Sequence, residues 1–186
     1  EVEVVSGRYL SKNKIHGLDL LKNQLPQKVV GVGVHGKFIY CIFENRFSMW
    51  STLGMTGSWQ NKETKHTRVK LVFESGKVSY FNDMRNFGTL KFCEDPAILS
   101  SKLQSLGPDL LAEDVADEKF ISQMRKNNDN NITKAMMDQK VIAGVGNYLK
   151  AEALWLARIS PHKKISEVSD KNLAILNKAL KNIMRE

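Results

Sequence analysis

Ile142-Ala143-Gly144-Val145-Gly146-Asn147-Tyr148-Leu149-Lys150-Ala151-Glu152 is the most informative stretch of this 186-residue chain. Two glycines and an asparagine stand between the end of one helical pattern and the start of the next. Glycine lets a backbone turn tightly and approach a ligand closely. The N–H groups that open a helix make a natural phosphate cradle, to which the Asn147 amide can add a donor. The same pattern also suits a helix hairpin whose glycines only permit close packing, and spacing alone leaves both readings open. A dinucleotide fold fits less well, because helix rather than strand precedes the glycines.

Working outward, Leu149, Ala153 and Leu156 recur at i, i+4 and i+7. Leu173, Leu176, Leu180 and Ile183 follow the same rule on a last helix opened by Ser169-Asp170. Asp95-Pro96 reads as an N-cap followed by proline at the first helical position. Leu106-Gly107-Pro108-Asp109 is a break and residues 127–131 a polar loop, so four or five helices are expected after Asp95. Before Asp95 the texture differs. Short β-branched and aromatic runs at 1–5, 29–34, 37–43, 48–53, 68–73, 78–81 and 89–92 are punctuated by Ser75-Gly76 and Asn82-Asp83. Such spacing predicts an antiparallel sandwich or barrel. The expected fold class is α+β, with a β-sandwich over residues 1–95 and a helical domain over 96–186.

Lys+Arg 28 against Asp+Glu 20 gives a net charge of +8. That balance suits a protein that meets a polyanion, although it also arises without a specific partner. The excess is spread over both halves with no basic tail, so any nucleic-acid surface has to be assembled by folding. No apolar run approaches the roughly 18 residues that span a bilayer, and no signal-peptide pattern opens the chain. Cys41 and Cys93 lie far apart, and with four histidines they leave no zinc site of the usual spacing. A reducing compartment, nucleus or cytoplasm, fits this usage. Both cysteines read as buried thiols. Trp50, Trp59 and Trp155 read as core or interface residues, and His35 and His66 as structural or solvent-facing.

With Met136-Met137-Asp138-Gln139-Lys140 before it, the opening stretch resembles the helix–two-turn–helix of the formamidopyrimidine-DNA glycosylase/endonuclease VIII family. Three further stretches match in the family's order. Gly36-Lys37-Phe38 is similar to its early-strand lysine motif. Leu53-Gly54-Met55-Thr56-Gly57 is similar to the loop carrying an intercalating residue, and Asp83-Met84-Arg85-Asn86-Phe87-Gly88 to the second intercalation loop. The run from Asn147 to His162, ending Ile159-Ser160-Pro161-His162, is closest to eukaryotic and viral endonuclease VIII-like members. Four motifs in order are far more specific than any one of them.

The resemblance implies a bifunctional DNA glycosylase and abasic-site lyase of base excision repair. Its partner would be double-stranded DNA carrying oxidised bases or abasic sites, and it would act as a monomer without cofactor, metal or membrane. It implies that Met55 and Phe87 are apolar wedges filling the hole left by an everted base, and that Arg85 reaches the orphaned partner base. Lys140, Gly146 and Asn147 become DNA contacts, and Lys37 a catalytic lysine serving phosphate contact and strand cleavage. Taken without the family, Met55 and Phe87 would read as core, Arg85 as a solvated charge and Lys37 as an exposed strand charge. The flanking glycines and the turn before Arg85 argue instead for loop tips. The family's N-terminal proline nucleophile, within Pro-Glu-Gly-Pro-Glu, has no counterpart here, and residues 2–9 resemble the strand and turn that follow its first helix. Its C-terminal zinc or zincless finger is not found either. The expectation is therefore either a trimmed glycosylase or a relative that keeps a DNA-binding, RNA-binding or structural role without the nucleophile.

Overall fold

The β-branched and aromatic runs of the first half form eight strands: β1 (Val2–Val4), β2 (Val29–His35), β3 (Phe38–Phe43), β4 (Ser48–Thr52), β5 (Gly57–Gln60), β6 (Thr67–Val72), β7 (Val78–Asp83) and β8 (Thr89–Cys93). They pair antiparallel in two four-stranded sheets, β1-β6-β7-β5 and β2-β3-β4-β8. These elements come from a computed structural model, which describes residues 1–10 and 14–185. Its contacts divide the chain into two units, Glu1–Ser100 and Ser101–Glu186.

Alternation sends successive side chains to opposite sheet faces. Register aligns Cys41, Met49 and Phe92 across β3, β4 and β8, and Val69 with Phe81 across β6 and β7. Met49, Phe92, Val69 and Phe81 are all buried in one cluster, so the two sheets face each other as a sandwich. On the opposite face, Tyr40, Trp50 and Lys91 are in register, with Lys91 Nζ 5.0 Å from the Trp50 ring centroid. Phe47, Phe81 and Phe92 are fully buried, and each contributes about 2–3 kcal/mol through the area it removes from water.

The sequence reading of this half needs four corrections. β5 lies outside the expected strands, because Gly57-Ser58-Trp59-Gln60 offers one apolar residue and no alternation. It is held by Trp59, whose ring lies 5.1 Å from that of Phe81 and whose Nε1–H donates to Ser51 Oγ at 3.0 Å. A five-residue helix, α1 (Leu18–Lys22), is likewise additional, being too short to show a period; it buries Leu18 and Leu21. Lys37 lies outside β3, in the Gly36-Lys37 hairpin turn, where Gly36 takes φ +56. Asn82-Asp83 close β7 rather than forming the turn.

The helices are α2 (Pro96–Gln104), α3 (Asp117–Arg125), α4 (Ile132–Met137), α5 (Asn147–Leu156) and α6 (Asp170–Arg185). The starts of α2, α4 and α6 are capped by side chains. Asp95 Oδ1 accepts from Ala97 N–H (2.8 Å), Asn131 Oδ1 from Thr133 N–H (2.8 Å) and Ser169 Oγ from Asn172 N–H (3.2 Å). Phe120, Met124, Met136, Ile142, Leu173 and Leu176 build a second core belonging to the helical unit. Arg125 ties α3 to the approach of α6, donating to the Ile165 and Val168 carbonyls at 2.8 and 2.7 Å and pairing with Asp170. Trp155 is 74% exposed on α5, while Trp50 and Trp59 are half-buried. Cys93 is buried as expected, whereas Cys41 is only half-buried. Among the described residues no helix is long and apolar enough to cross a membrane.

Candidate nucleic-acid interface

In the helical unit, α4 stops at Met137, and residues 138–146 make two turns before α5. The Gln139 side chain holds these turns in shape. Its Oε1 accepts from Gly144 N–H at 2.9 Å, and its Nε2 donates to the carbonyls of Val145 at 3.0 Å and Met137 at 3.2 Å. Gly144 takes φ +89, which a side chain would resist. Val141, Ile142, Ala143 and Val145 are buried and anchor the loop to the core, while Lys140 and Asn147 remain exposed. Gly107 completes the support: its N–H donates to the Gln139 carbonyl (2.9 Å), and a Cβ there would come within 2.4 Å of Val141.

Gly144 thus serves the turn itself, while Lys140 and Asn147 lie on the exposed side of the loop. Gly146 brings no capping side chain to α5, so the helix opens with its N–H groups and partial positive charge outward. Lys150 Nζ donates to Asn147 Oδ1 at 2.8 Å, adding a cation one turn in and leaving the Asn147 amide N–H₂ as a donor. Gly146, Asn147 and Lys150 thus meet at one helix end, an arrangement suited to a phosphate, with Lys140 exposed on the loop that leads into it.

In the sandwich unit, register sets the second cluster. Ile39 pairs with Ser51, Ser51 with Leu90, and Thr52 with Thr89. The Gly36-Lys37 turn, the loop at 53–56 and the loop at 84–88 therefore leave the same end of one sheet, within about 10 Å at the usual strand spacing. Gly54, at φ +61, lets the two longer loops press together; a Cβ there would sit 2.8 Å from Gly88 N and from the Phe87 carbonyl carbon. Their tips are apolar and in solvent: Met55 is 69% exposed and Phe87 57%. Arg85 lies between them, its Nη1 3.3 Å from Met55 Sδ and its guanidinium 5.8 Å from the Phe87 ring centroid. The core reading of Met55 and Phe87 is excluded. Lys37 is exposed on its own turn, and desolvation by its surroundings lowers its pKa from the ordinary lysine value.

Sequence reasoning missed the residues that hold this tip. Asp83 is buried at the end of β7; its Oδ1 accepts from Thr56 Oγ1 (2.6 Å) and Arg85 N–H (3.2 Å), and its Oδ2 from Gly88 N–H (2.7 Å). Arg68 Nε donates to the Asp83 carbonyl at 2.7 Å, and Arg8 Nη2 to the Gly88 carbonyl at 2.5 Å. In sequence Asp83 looks like turn punctuation, and Arg8 and Arg68 like ordinary surface charge. Their only signal was Asp83 beginning the second loop motif.

Two family models match the chain: the formamidopyrimidine-DNA glycosylase N-terminal domain over residues 1–90 and the formamidopyrimidine-DNA glycosylase H2TH domain over residues 106–186. The chain belongs to the formamidopyrimidine-DNA glycosylase family. Formamidopyrimidine-DNA glycosylase of Proteus mirabilis is 33% identical over 169 residues, covering 88% of this chain and 61% of the relative. That of Thermus thermophilus is 32% identical over 166 residues, 86% and 60% respectively. The crystal structure of the T. thermophilus MutM (Fpg) protein aligns with TM-score 0.75 at 31% identity, over 86% of this chain and 59% of that one. The Lactococcus lactis enzyme bound non-covalently to DNA containing an abasic site shares the fold, with TM-score 0.82 at 24% identity over 99% of this chain and 71% of that one. The chain thus spans about 60% of the length of these curated relatives.

Proposed function

We propose that this chain carries the DNA-engaging parts of a base excision repair glycosylase and abasic-site lyase that acts on oxidised bases in duplex DNA. The observation that carries this reading is the solvent-exposed trio of Met55, Arg85 and Phe87 on paired loops. Exposing two large apolar side chains at a loop tip has a cost in water, and an everted base leaves an apolar hole of matching character. Arg85 between them can donate in a plane to the edge of the orphaned partner base. Lys140, the Gly146-Asn147 helix start and Lys37 are assigned to phosphates.

The chemistry proposed is amine catalysis. An amine attacks C1′ and the glycosidic bond breaks with its electron pair leaving on the base; the C1′–O4′ bond then opens, its pair taken up as the protonated O4′ hydroxyl, as the C1′=N iminium forms. That electron sink allows loss of a C2′ proton and expulsion of the 3′ phosphate, which nicks the strand. By the family resemblance Lys37, on the turn at the same sheet end as the two loops, is assigned to phosphate contact and strand cleavage. Borohydride reduction of the full gene product on abasic-site DNA tests the scheme, and a covalent protein–DNA complex is expected. Retained binding with no trapped complex would establish the alternative, a DNA-binding relative without the nucleophile.

Asn147→Ala should weaken abasic-duplex binding about tenfold or more, the loss of one hydrogen bond to a charged acceptor, with the melting temperature unchanged. Titration and thermal denaturation of the same preparation decide this. A parallel fall in both would mean that Asn147 supports packing instead.

A further inference from the structure

The two void-filling loops come from different places in the chain, and the contact between their tips, Arg85 Nη1 to Met55 Sδ, is exposed and uses a weak acceptor. Something firmer has to hold them if both wedges are to enter one small hole together. We propose that Asp83 is a positioning residue that locks the 53–56 and 84–88 loops into a single probe, a role that rests on the void-filling reading given above. Its carboxylate bonds both loops from within, and Thr56 Oγ1, which donates to it, also accepts from the Arg85 N–H at 3.0 Å, so the three groups share one network. One oxygen takes the Thr56 hydroxyl of the first loop and the Arg85 N–H of the second, and the other takes the Gly88 N–H.

The chemistry of the cluster requires the ionised form. Its donors all point inward at one buried side chain, so the site wants an acceptor at every position. Burial opposes the charge, but the Thr56 hydroxyl and the N–H groups of Gly88, Arg85 and Asn86 outweigh it and hold the carboxyl below its ordinary range. A carboxylate held low lends its stabilisation above the ordinary Asp value and loses it only as pH falls through the lowered value, so the lock is intact at neutral pH. An amide at this position cannot re-aim the Gly88 N–H. It must turn its NH₂ toward Thr56 and set a donor against the Arg85 N–H. Arg68 and Arg8 also brace the second loop, through the Asp83, Met84 and Gly88 carbonyls.

The test is a mutant cycle read as the ratio of affinities for a duplex with a tetrahydrofuran abasic analogue and the same duplex intact. Asp83→Asn and Thr56→Val are each expected to lower that ratio roughly tenfold, since each removes a charge-assisted hydrogen bond. Thr56→Ser, which keeps the hydroxyl, should retain it. Met55→Ala and Phe87→Ala should be non-additive in the parent protein and additive in the Asp83→Asn background, because separate loops no longer share one entry step. A merely structural carboxylate would lower the melting temperature without changing that additivity. Thr56→Val carries the test if Asp83→Asn does not fold, since it swaps a hydroxyl for a methyl on a half-buried loop side chain. An unchanged ratio in Thr56→Val, with Met55→Ala and Phe87→Ala each damaging, overturns the lock. If neither wedge substitution alters the ratio, the void-filling reading fails and the lock with it.

Discussion

Replacing Met55 and Phe87 together by alanine is expected to cut the preference for abasic over intact duplex about a hundredfold while leaving the protein folded. The estimate comes from what the two side chains do before and after binding. In the free protein they are 69% and 57% exposed, so they lend little to the sandwich core, and exposed substitutions usually move stability by less than about 0.5 kcal/mol. Inside a duplex missing a base they would be stripped of water, gaining about 1.5–3 kcal/mol each if fully buried. Entering one hole in a single step, the pair together gains close to 3 kcal/mol from partial burial, a factor of about a hundred. Intact duplex offers no hole, so its affinity should barely change. Fluorescence anisotropy with the two duplexes, alongside a melting curve, measures all three quantities. A double variant that melts far lower would show that these side chains belong to the interior, and one that keeps both its fold and its preference would remove them from the void.

That prediction turns on exposure, which the sequence could only partly reveal. Periodicity and turn residues located seven strands because their side chains alternate, and the last helix because Leu173, Leu176 and Leu180 repeat on one face. β5 and α1 escaped because each is held by non-local partners, Trp59 on Phe81 in one case and buried Leu18 and Leu21 in the other. No local pattern records such contacts. The candidate site divides in the same way. Met55, Arg85, Phe87, Lys140, Gly146 and Asn147 stand in contiguous motifs and could be named from them. Asp83 and Gln139 act through bonds made across a loop, and their function appears only when donors and acceptors are matched. Lys37 is legible as a motif but reads as strand, because the two-residue turn His35-Gly36-Lys37-Phe38 carries one glycine and no other break signal.

Raising salt from 50 to 200 mM should weaken duplex binding about 150-fold, from a log–log slope near −3.6 if about four phosphates are neutralised. The cations offered for this are Lys37 and Lys140, both exposed, with Lys150 beside the start of α5 and a further residue from the +8 surplus. The slope separates roles that a single affinity cannot. Lys140→Ala should flatten it by about 0.9, because one fewer counterion is released when DNA binds. Asn147→Ala should weaken binding with the slope unchanged, because a neutral amide displaces no counterion. Removing the wedges should leave the slope intact as well, since apolar contacts are insensitive to salt on this scale. A slope near zero would remove the polyanion from the scheme altogether. A steep slope that ignores Lys140 would move the phosphate contacts away from the two-turn loop while sparing the void-filling tip, because the two clusters answer to different measurements.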